Sequence, residues 1–82
     1  MTAEEISEVL QGWVMERIGA PVDPRLPFAQ IEKMDSFDVL ELVVFSESTF
    51  GVKFAAADFA NPEFATLSGL AGVIRARIWP GT

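Results

Sequence analysis

Residues 34–43 are the most informative stretch of the sequence and read Met34-Asp35-Ser36-Phe37-Asp38-Val39-Leu40-Glu41-Leu42-Val43. Asp and Ser are favoured residues at helix starts, and the apolar residues that follow recur at helical spacing. The pattern continues to Phe50 and stops at Gly51, a residue type that commonly ends helices. The stretch therefore predicts a helix from Ser36 to Phe50.

This helix has two apolar arcs when its residues are projected at about 100° per residue. The first arc contains Val39, Leu42, Val43, Ser46 and Phe50. The second arc contains Phe37, Leu40 and Val44, and it is flanked by Glu41, Glu47 and Ser48. Only one arc is needed to face a core, and the first is the better candidate. The second has the composition of a docking surface, an apolar centre with acidic residues that steer basic partners. The alternative is that it packs on a short third helix or on the proline loop, and the sequence leaves both open.

A helix and a stiff loop precede this stretch. Residues 3–18 have helical apolar spacing; Thr2 and Glu5 form a capping-box pattern before it, and Gly19 follows it. Residues 20–33 contain three prolines, which exclude a continuous helix. Three apolar residues are expected to hold this loop to the core: Leu26, Phe28 and Ile31.

Two further helices are predicted after residue 50. A short one is expected around Ala56 to Ala60, broken at Asn61-Pro62. Thr66 should then cap a last helix that Pro80-Gly81 ends. The predicted fold class is all-α: a single domain over residues 1–82, forming a small four-helix bundle with three main helices, a short third helix and a long loop after helix one.

Composition limits the classes of function. The 82 residues are enough for one small domain, and the lack of Cys and His excludes disulfides and an ordinary zinc site, so no metal site is predicted. A net charge of −6 disfavours binding to nucleic acid or anionic lipid and favours basic partners. No apolar run approaches about 18 residues, so no membrane-spanning helix is expected. The acidic start differs from a secretion signal, and we expect a cytoplasmic protein.

Ser36 is the residue that bears most directly on function. A serine at a helix start is more often a cap than a nucleophile, and Asp35 is the other candidate cap. No His exists to act as the base of a serine hydrolase, and the Asp and Glu pairs fit helix-start and surface charge, so no enzyme is predicted. The remaining functional role for Ser36 is to be modified by another enzyme. Ser36 follows a loop, lies at the positive end of a helix where a phosphodiester is favoured, and adjoins the second arc.

The residues from Phe28 to Ile74 resemble the phosphopantetheine-binding acyl carrier protein family. The resemblance rests on Phe28-x-x-Ile31, Asp35-Ser36, the run Asp38-Val39-Leu40-Glu41-Leu42-Val43, Phe50-Gly51-Val52 and Phe64-Ala65-Thr66-Leu67. A bare Asp-Ser pair is not specific, but the whole set at these distances is. The first helix also fits the family's first helix, so the resemblance covers the domain.

The resemblance implies a cofactor and partners. Ser36, preceded by Asp35, would carry 4'-phosphopantetheine, delivered from coenzyme A by a phosphopantetheinyl transferase that uses magnesium. The thiol of the arm would hold a thioester intermediate between an acyl- or aminoacyl-loading enzyme and downstream synthase or transferase enzymes. The surface that these enzymes recognise would be formed by Phe37, Leu40, Glu41, Val44 and Glu47. A mobile carrier of this kind works most simply as a monomer.

Several residues depart from the fatty-acid carriers and bear on the cargo. These are Phe37 in place of Leu, Lys33 before the serine, Ser48 in place of an acid, and Ala55-Ala56-Ala57. The Asn61-Pro62-Glu63-Phe64 stretch is closer to stand-alone carriers of polyketide, aminoacyl or peptide pathways. Met1 and the short tail favour a complete gene product over a carrier excised from a synthase. The cargo would be recognised by the partner enzymes and by a weakly defined groove between helices. The candidates to line such a groove are Val43, Phe50, Phe54, Phe59 and Phe64, but plain core is the favoured interpretation of each.

A second class of function stays open. The chain would then be an unmodified interaction module, a helical bundle that binds a partner through Phe37, Leu40 and Val44 while Ser36 merely caps its helix. The discriminating question is whether Ser36 accepts phosphopantetheine.

Overall fold

The computed structural model describes residues 1–78, and every regular element in this range is helical. Helix α1 spans Ala3–Ile18, α2 spans Ser36–Phe50 and α3 spans Leu67–Ile78. Short 3-10 helices lie at Phe28–Gln30, Ala56–Ala60 and Pro62–Ala65. The prediction of a small all-helical bundle is confirmed. The predicted stop at Pro80-Gly81 lies outside the described residues.

The ends of α1 and α2 follow from their terminal residues. At the start of α1, Thr2 Oγ1 accepts the N–H of Glu5 at 3.1 Å while the Glu5 carboxylate accepts the N–H of Thr2 at 2.7 Å. This is the predicted capping box. Gly19 and Gly51 end the two helices with φ of 70° and 68°. Glycine adopts this left-handed conformation without the steric penalty of a Cβ atom, so each helix stops where the sequence predicts.

The core forms where the three helices meet. Helices α1 and α3 share the largest interface, and α2 packs across them. The apolar side chains without solvent exposure are Ile6, Leu10, Val14, Leu42, Leu67 and Ile74. The first arc of α2 faces this core, as predicted, because Leu42, Val43 and Ser46 are buried. The Ser46 hydroxyl donates to the Leu42 carbonyl at 2.8 Å, so this buried polar group is satisfied within the helix.

The proline loop is held to the core by the apolar residues that the sequence identified. Phe28 and Ile31 are buried and Leu26 packs against them. The loop is also joined to the start of α3, because the Ser68 N–H donates to the Pro24 carbonyl at 2.8 Å. The loop is therefore a fixed part of the bundle, and it delivers the chain to Ser36 in a defined position.

The chain between α2 and α3, where the sequence predicts one short helix, contains two 3-10 helices. The first matches the predicted Ala56–Ala60, and the second, Pro62–Ala65, was not predicted. Arg77 of α3 fastens this segment: its guanidinium is hydrogen-bonded to Asp58 and donates to the Lys53 carbonyl at 2.9 Å. It also lies 5.6 Å from the centre of the Phe54 ring.

Candidate functional site

The start of α2 is capped by two aspartates. Asp35 Oδ1 accepts the N–H of Asp38 at 2.9 Å, and Asp38 Oδ2 accepts the N–H of Asp35 at 3.1 Å. Asp35 is the N-cap and Ser36 is the first residue of the helix. The expectation that Ser36 itself is the cap is therefore wrong. The carboxylates of Asp35 and Asp38 accept the N–H groups at the helix start, and the Ser36 side chain is left exposed.

An apolar cavity of about 390 Å³ opens beside Ser36. Its lining comes from the proline loop and from the first turn of α2: Phe28, Ala29, Met34, Asp35, Ser36 and Val39. The loop residues reach it because Phe28 and Met34 are anchored in the core. A group attached to the Ser36 hydroxyl therefore has both bulk solvent and an apolar recess within reach.

A second cavity, of about 320 Å³, adjoins the first and shares Phe28 and Val39 with it. It lies between α2, the two 3-10 helices and α3, with Val43, Phe59, Phe64 and Leu70 among its lining. Of the five groove candidates, Val43, Phe59 and Phe64 line this cavity, and Val43 and Phe64 are also buried. Phe50 and Phe54 instead pack against the core as half-buried side chains.

The second arc of α2 is exposed. The exposed fractions of Phe37, Leu40 and Val44 are 61%, 55% and 58%. The alternative, in which these residues pack on the proline loop or on the short third segment, is excluded. We call Phe37, Leu40 and Val44 the apolar face. Three large apolar side chains exposed along one helix are unusual on a small protein and typical of a contact surface.

Arg17 of α1 is paired with two acidic residues beside the apolar face. Its Nε donates to Asp38 Oδ1 at 2.6 Å, and a terminal nitrogen donates to Glu41 Oε2 at 2.9 Å. The backbone N–H of Asp35 and then Arg17 lower the pKa of Asp38. The hydrogen bonds that the Arg17 guanidinium donates to Asp38 and Glu41 raise the pKa of Arg17 in turn. Glu41, which was predicted to steer basic partners, is thus already paired within the protein.

Glu47 also has a contact within the chain. Its Oε2 accepts the backbone N–H of Phe54 at 2.9 Å, a group that is partly buried in the turn after α2. Glu47 therefore helps to fix the path of the chain that follows Gly51, whatever contact it makes with a partner.

The surroundings of Ser36 are compatible with a phosphodiester on its hydroxyl. The N–H groups of Ser36 and Phe37 belong to the first turn and have no partner inside the helix, and the helix N-terminus is positive. Lys33, three residues before the serine, is exposed. Asp35 and Asp38 oppose a phosphate electrostatically, but Arg17 offsets the charge of Asp38.

Sequence reasoning missed Arg17, together with the aromatic pair that supports it. The Trp13 and Phe45 rings stack with their centres 5.5 Å apart, and Arg17 lies 5.1 Å from the centre of the Trp13 ring. The available signal was a basic residue in the last turn of α1 and two acids three residues apart on α2. That signal becomes specific only when the relative placement of the helices is known.

No family model, no curated protein and no solved structure matches this chain. The likeness to carrier proteins thus rests on the residues quoted above. Among residues 1–78, no helix combines the length and the apolar character needed to cross a membrane.

Proposed function

We propose that this protein is an acyl or aminoacyl carrier protein, in which Ser36 bears 4'-phosphopantetheine and the arm carries a thioester-linked intermediate between enzymes. The pathway would be of the polyketide, nonribosomal peptide or fatty-acid-like kind. The observation that carries the proposal is the position of Ser36: exposed, first in α2, beside an apolar cavity and adjacent to the apolar face.

The loading step uses Ser36 as the acceptor. Its hydroxyl oxygen forms a phosphodiester bond with the phosphate of the pantetheine arm, and the pyrophosphate bond of coenzyme A breaks. Adenosine bisphosphate leaves, and the serine proton passes to a base of the transferase. This chain supplies only the hydroxyl and its placement, because it contains no His or Cys to act as base or thiol. It is a substrate and vehicle rather than an enzyme.

Each part of the bundle has a task in this proposal. Asp35 caps α2, which frees the serine hydroxyl for modification. Phe37, Leu40 and Val44 would supply the contact area for the transferase and for the loading and downstream enzymes. In the four-helix carrier fold, the 3-10 helices Ala56–Ala60 and Pro62–Ala65 would take the place of the short third helix.

A second candidate function is an unmodified interaction module. The observation that favours it is the exposure of the apolar face, which a binding role explains without any chemistry at Ser36. The two candidates differ in a single measurable property. A carrier gains one phosphopantetheine group at Ser36 when incubated with coenzyme A, magnesium and a broad-specificity transferase, and an interaction module gains none.

A further inference from the structure

Arg17 contacts two carboxylates, Asp38 and Glu41, at one edge of α2. A planar guanidinium satisfies two carboxylates at once, Asp38 at 2.6 Å and Glu41 at 2.9 Å. Arginine suits such a site because its donors form a fixed fork, whereas lysine is a point charge on a flexible chain. The carboxylate pair is thus already spaced for one arginine.

The Arg17 side chain is only partly buried, with an exposed fraction of 32%, against 16% for Asp38 and 39% for Glu41. Ion pairs with this degree of exposure are weak, because water competes with each partner. A guanidinium from outside can therefore compete for the two carboxylates, but displacing Arg17 also breaks its contact with the Trp13 ring. The apolar face lies on the same helix, since Phe37 and Leu40 directly precede Asp38 and Glu41.

We propose that Arg17 is an internal competitor at this edge of α2: a partner that binds Asp38 and Glu41 through one guanidinium must displace Arg17. The incoming guanidinium takes over the carboxylates that Arg17 holds, so the affinity for it is lower than in a chain without Arg17. Arg17 sets one positive charge against two carboxylates, so this edge keeps a net negative charge and still attracts a basic partner. Specificity then depends on displacing an existing contact as well as on forming a new one.

The competition is measurable without any modification of Ser36. Binding of a hexaarginine peptide is followed by NMR through the backbone amide signals of Asp38 and Glu41, at about 0.01 M salt so that screening is weak. For Arg17→Gln we expect binding at these signals to tighten about fivefold, the size expected when two exposed ion pairs no longer compete. Arg17→Lys, which keeps the charge but lacks the fork, should tighten it by a smaller factor.

The matched control is Arg25→Gln, which also removes one positive charge from a chain of net charge −6. The Arg25 side chain is 84% exposed and lies beside the N-terminal half of α1, far along this helix from Arg17. Adding both Asp38→Asn and Glu41→Gln to Arg17→Gln should remove the gain. Equal tightening in the Arg17→Gln and Arg25→Gln variants, or a gain that survives the loss of both carboxylates, would overturn the inference. It rests on the proposed function only in taking this edge of α2 as part of the partner surface, so failure of loading at Ser36 and failure of this competition are separate results.

Discussion

Asp35 and Asp38 cap each other at the start of α2, each carboxylate accepting the backbone N–H of the other residue at 2.9 and 3.1 Å. This reciprocal cap satisfies the N–H groups of Asp35 and Asp38, and the Ser36 side chain takes no part in it and is exposed. Structural and functional roles are thus divided between neighbouring residues, and substitutions can separate them.

The first prediction concerns this division. Asp35→Ala should lower the free energy of unfolding by about 1 kcal/mol, the usual cost of losing an N-cap. Ser36→Ala should leave it unchanged within about 0.5 kcal/mol, because the serine makes no contribution to the cap. Urea denaturation of both variants beside the parent measures the difference. Equal losses in the two variants would show that Ser36 shares the capping role.

The second prediction concerns the junction of α3 with the preceding 3-10 helix. A Cβ atom at Gly69 would lie 2.1 Å from the backbone oxygen of Glu63, so Gly69→Ala requires the backbone to move. We expect a loss of about 1–3 kcal/mol, as for other overpacked sites. Gly72→Ala is the matched control on the same helix, where a Cβ atom meets nothing within 4 Å. It should stabilise the protein by about 0.5–1 kcal/mol, since alanine is the better helix former. Thermal unfolding of both variants checks this pair, and a neutral Gly69→Ala would refute the close approach.

The third prediction concerns acid. The Asp35 N–H and Arg17 hold the pKa of Asp38 below its ordinary value of 3.8, and Arg77 and the Ala55 N–H do the same for Asp58. A lowered pKa in the folded state stabilises the fold at pH values above 3.8, and this stabilisation is lost as the pH falls through the lower, folded-state pKa. The melting temperature should therefore be flat near neutral pH and fall steeply below about pH 4.

Asp38→Asn tests the assignment to a particular group. The variant should be less stable than the parent at pH 7, and its melting temperature should depend less on pH in the acid range. Glu32→Gln, which removes an exposed carboxyl of the proline loop, serves as the control. A parallel acid dependence in the parent and Asp38→Asn would place the responsible carboxyl elsewhere.

The fourth prediction concerns the apolar face. Phe37→Ala and Leu40→Ala remove exposed side chains, so the free energy of unfolding should change by less than about 0.5 kcal/mol. If the transferase contacts this face, kcat/KM for loading of Ser36 should fall at least about fivefold in each variant, a typical cost for a side chain near the centre of an interface. Met15→Ala on α1 is the control, because Met15 is also exposed but does not belong to the apolar face. Loading that is unaffected by both substitutions would remove the apolar face from transferase recognition.

The main helices were predictable because their ends are marked by local chemistry. The Thr2–Glu5 capping box, Gly19 and Gly51 set the limits of α1 and the end of α2, and apolar spacing identified the core arc of α2. These signals act between residues that are close in the sequence, so they can be read without the fold.

The remaining features depend on contacts between distant residues. Arg17 meets Asp38 and Glu41 across 21 and 24 positions of sequence, and an arginine side chain can reach many alternative partners. The 3-10 helix Pro62–Ala65 is fixed by burial of Phe64 and by the approach of Gly69 to Glu63. The exposure of the apolar face also depended on where the proline loop runs, which composition alone does not determine.

Intact mass spectrometry shows whether Ser36 is the attachment site of phosphopantetheine. The parent, Ser36→Ala and Ser48→Ala are incubated with coenzyme A, magnesium and a broad-specificity phosphopantetheinyl transferase, beside a carrier protein known to be loaded by that transferase. Ser48 is a second exposed serine of α2 and controls for modification at any accessible hydroxyl. We expect the added mass of one phosphopantetheine group on the parent and on Ser48→Ala, and none on Ser36→Ala. An unchanged mass for the folded parent, while the known carrier is fully loaded, would contradict this expectation.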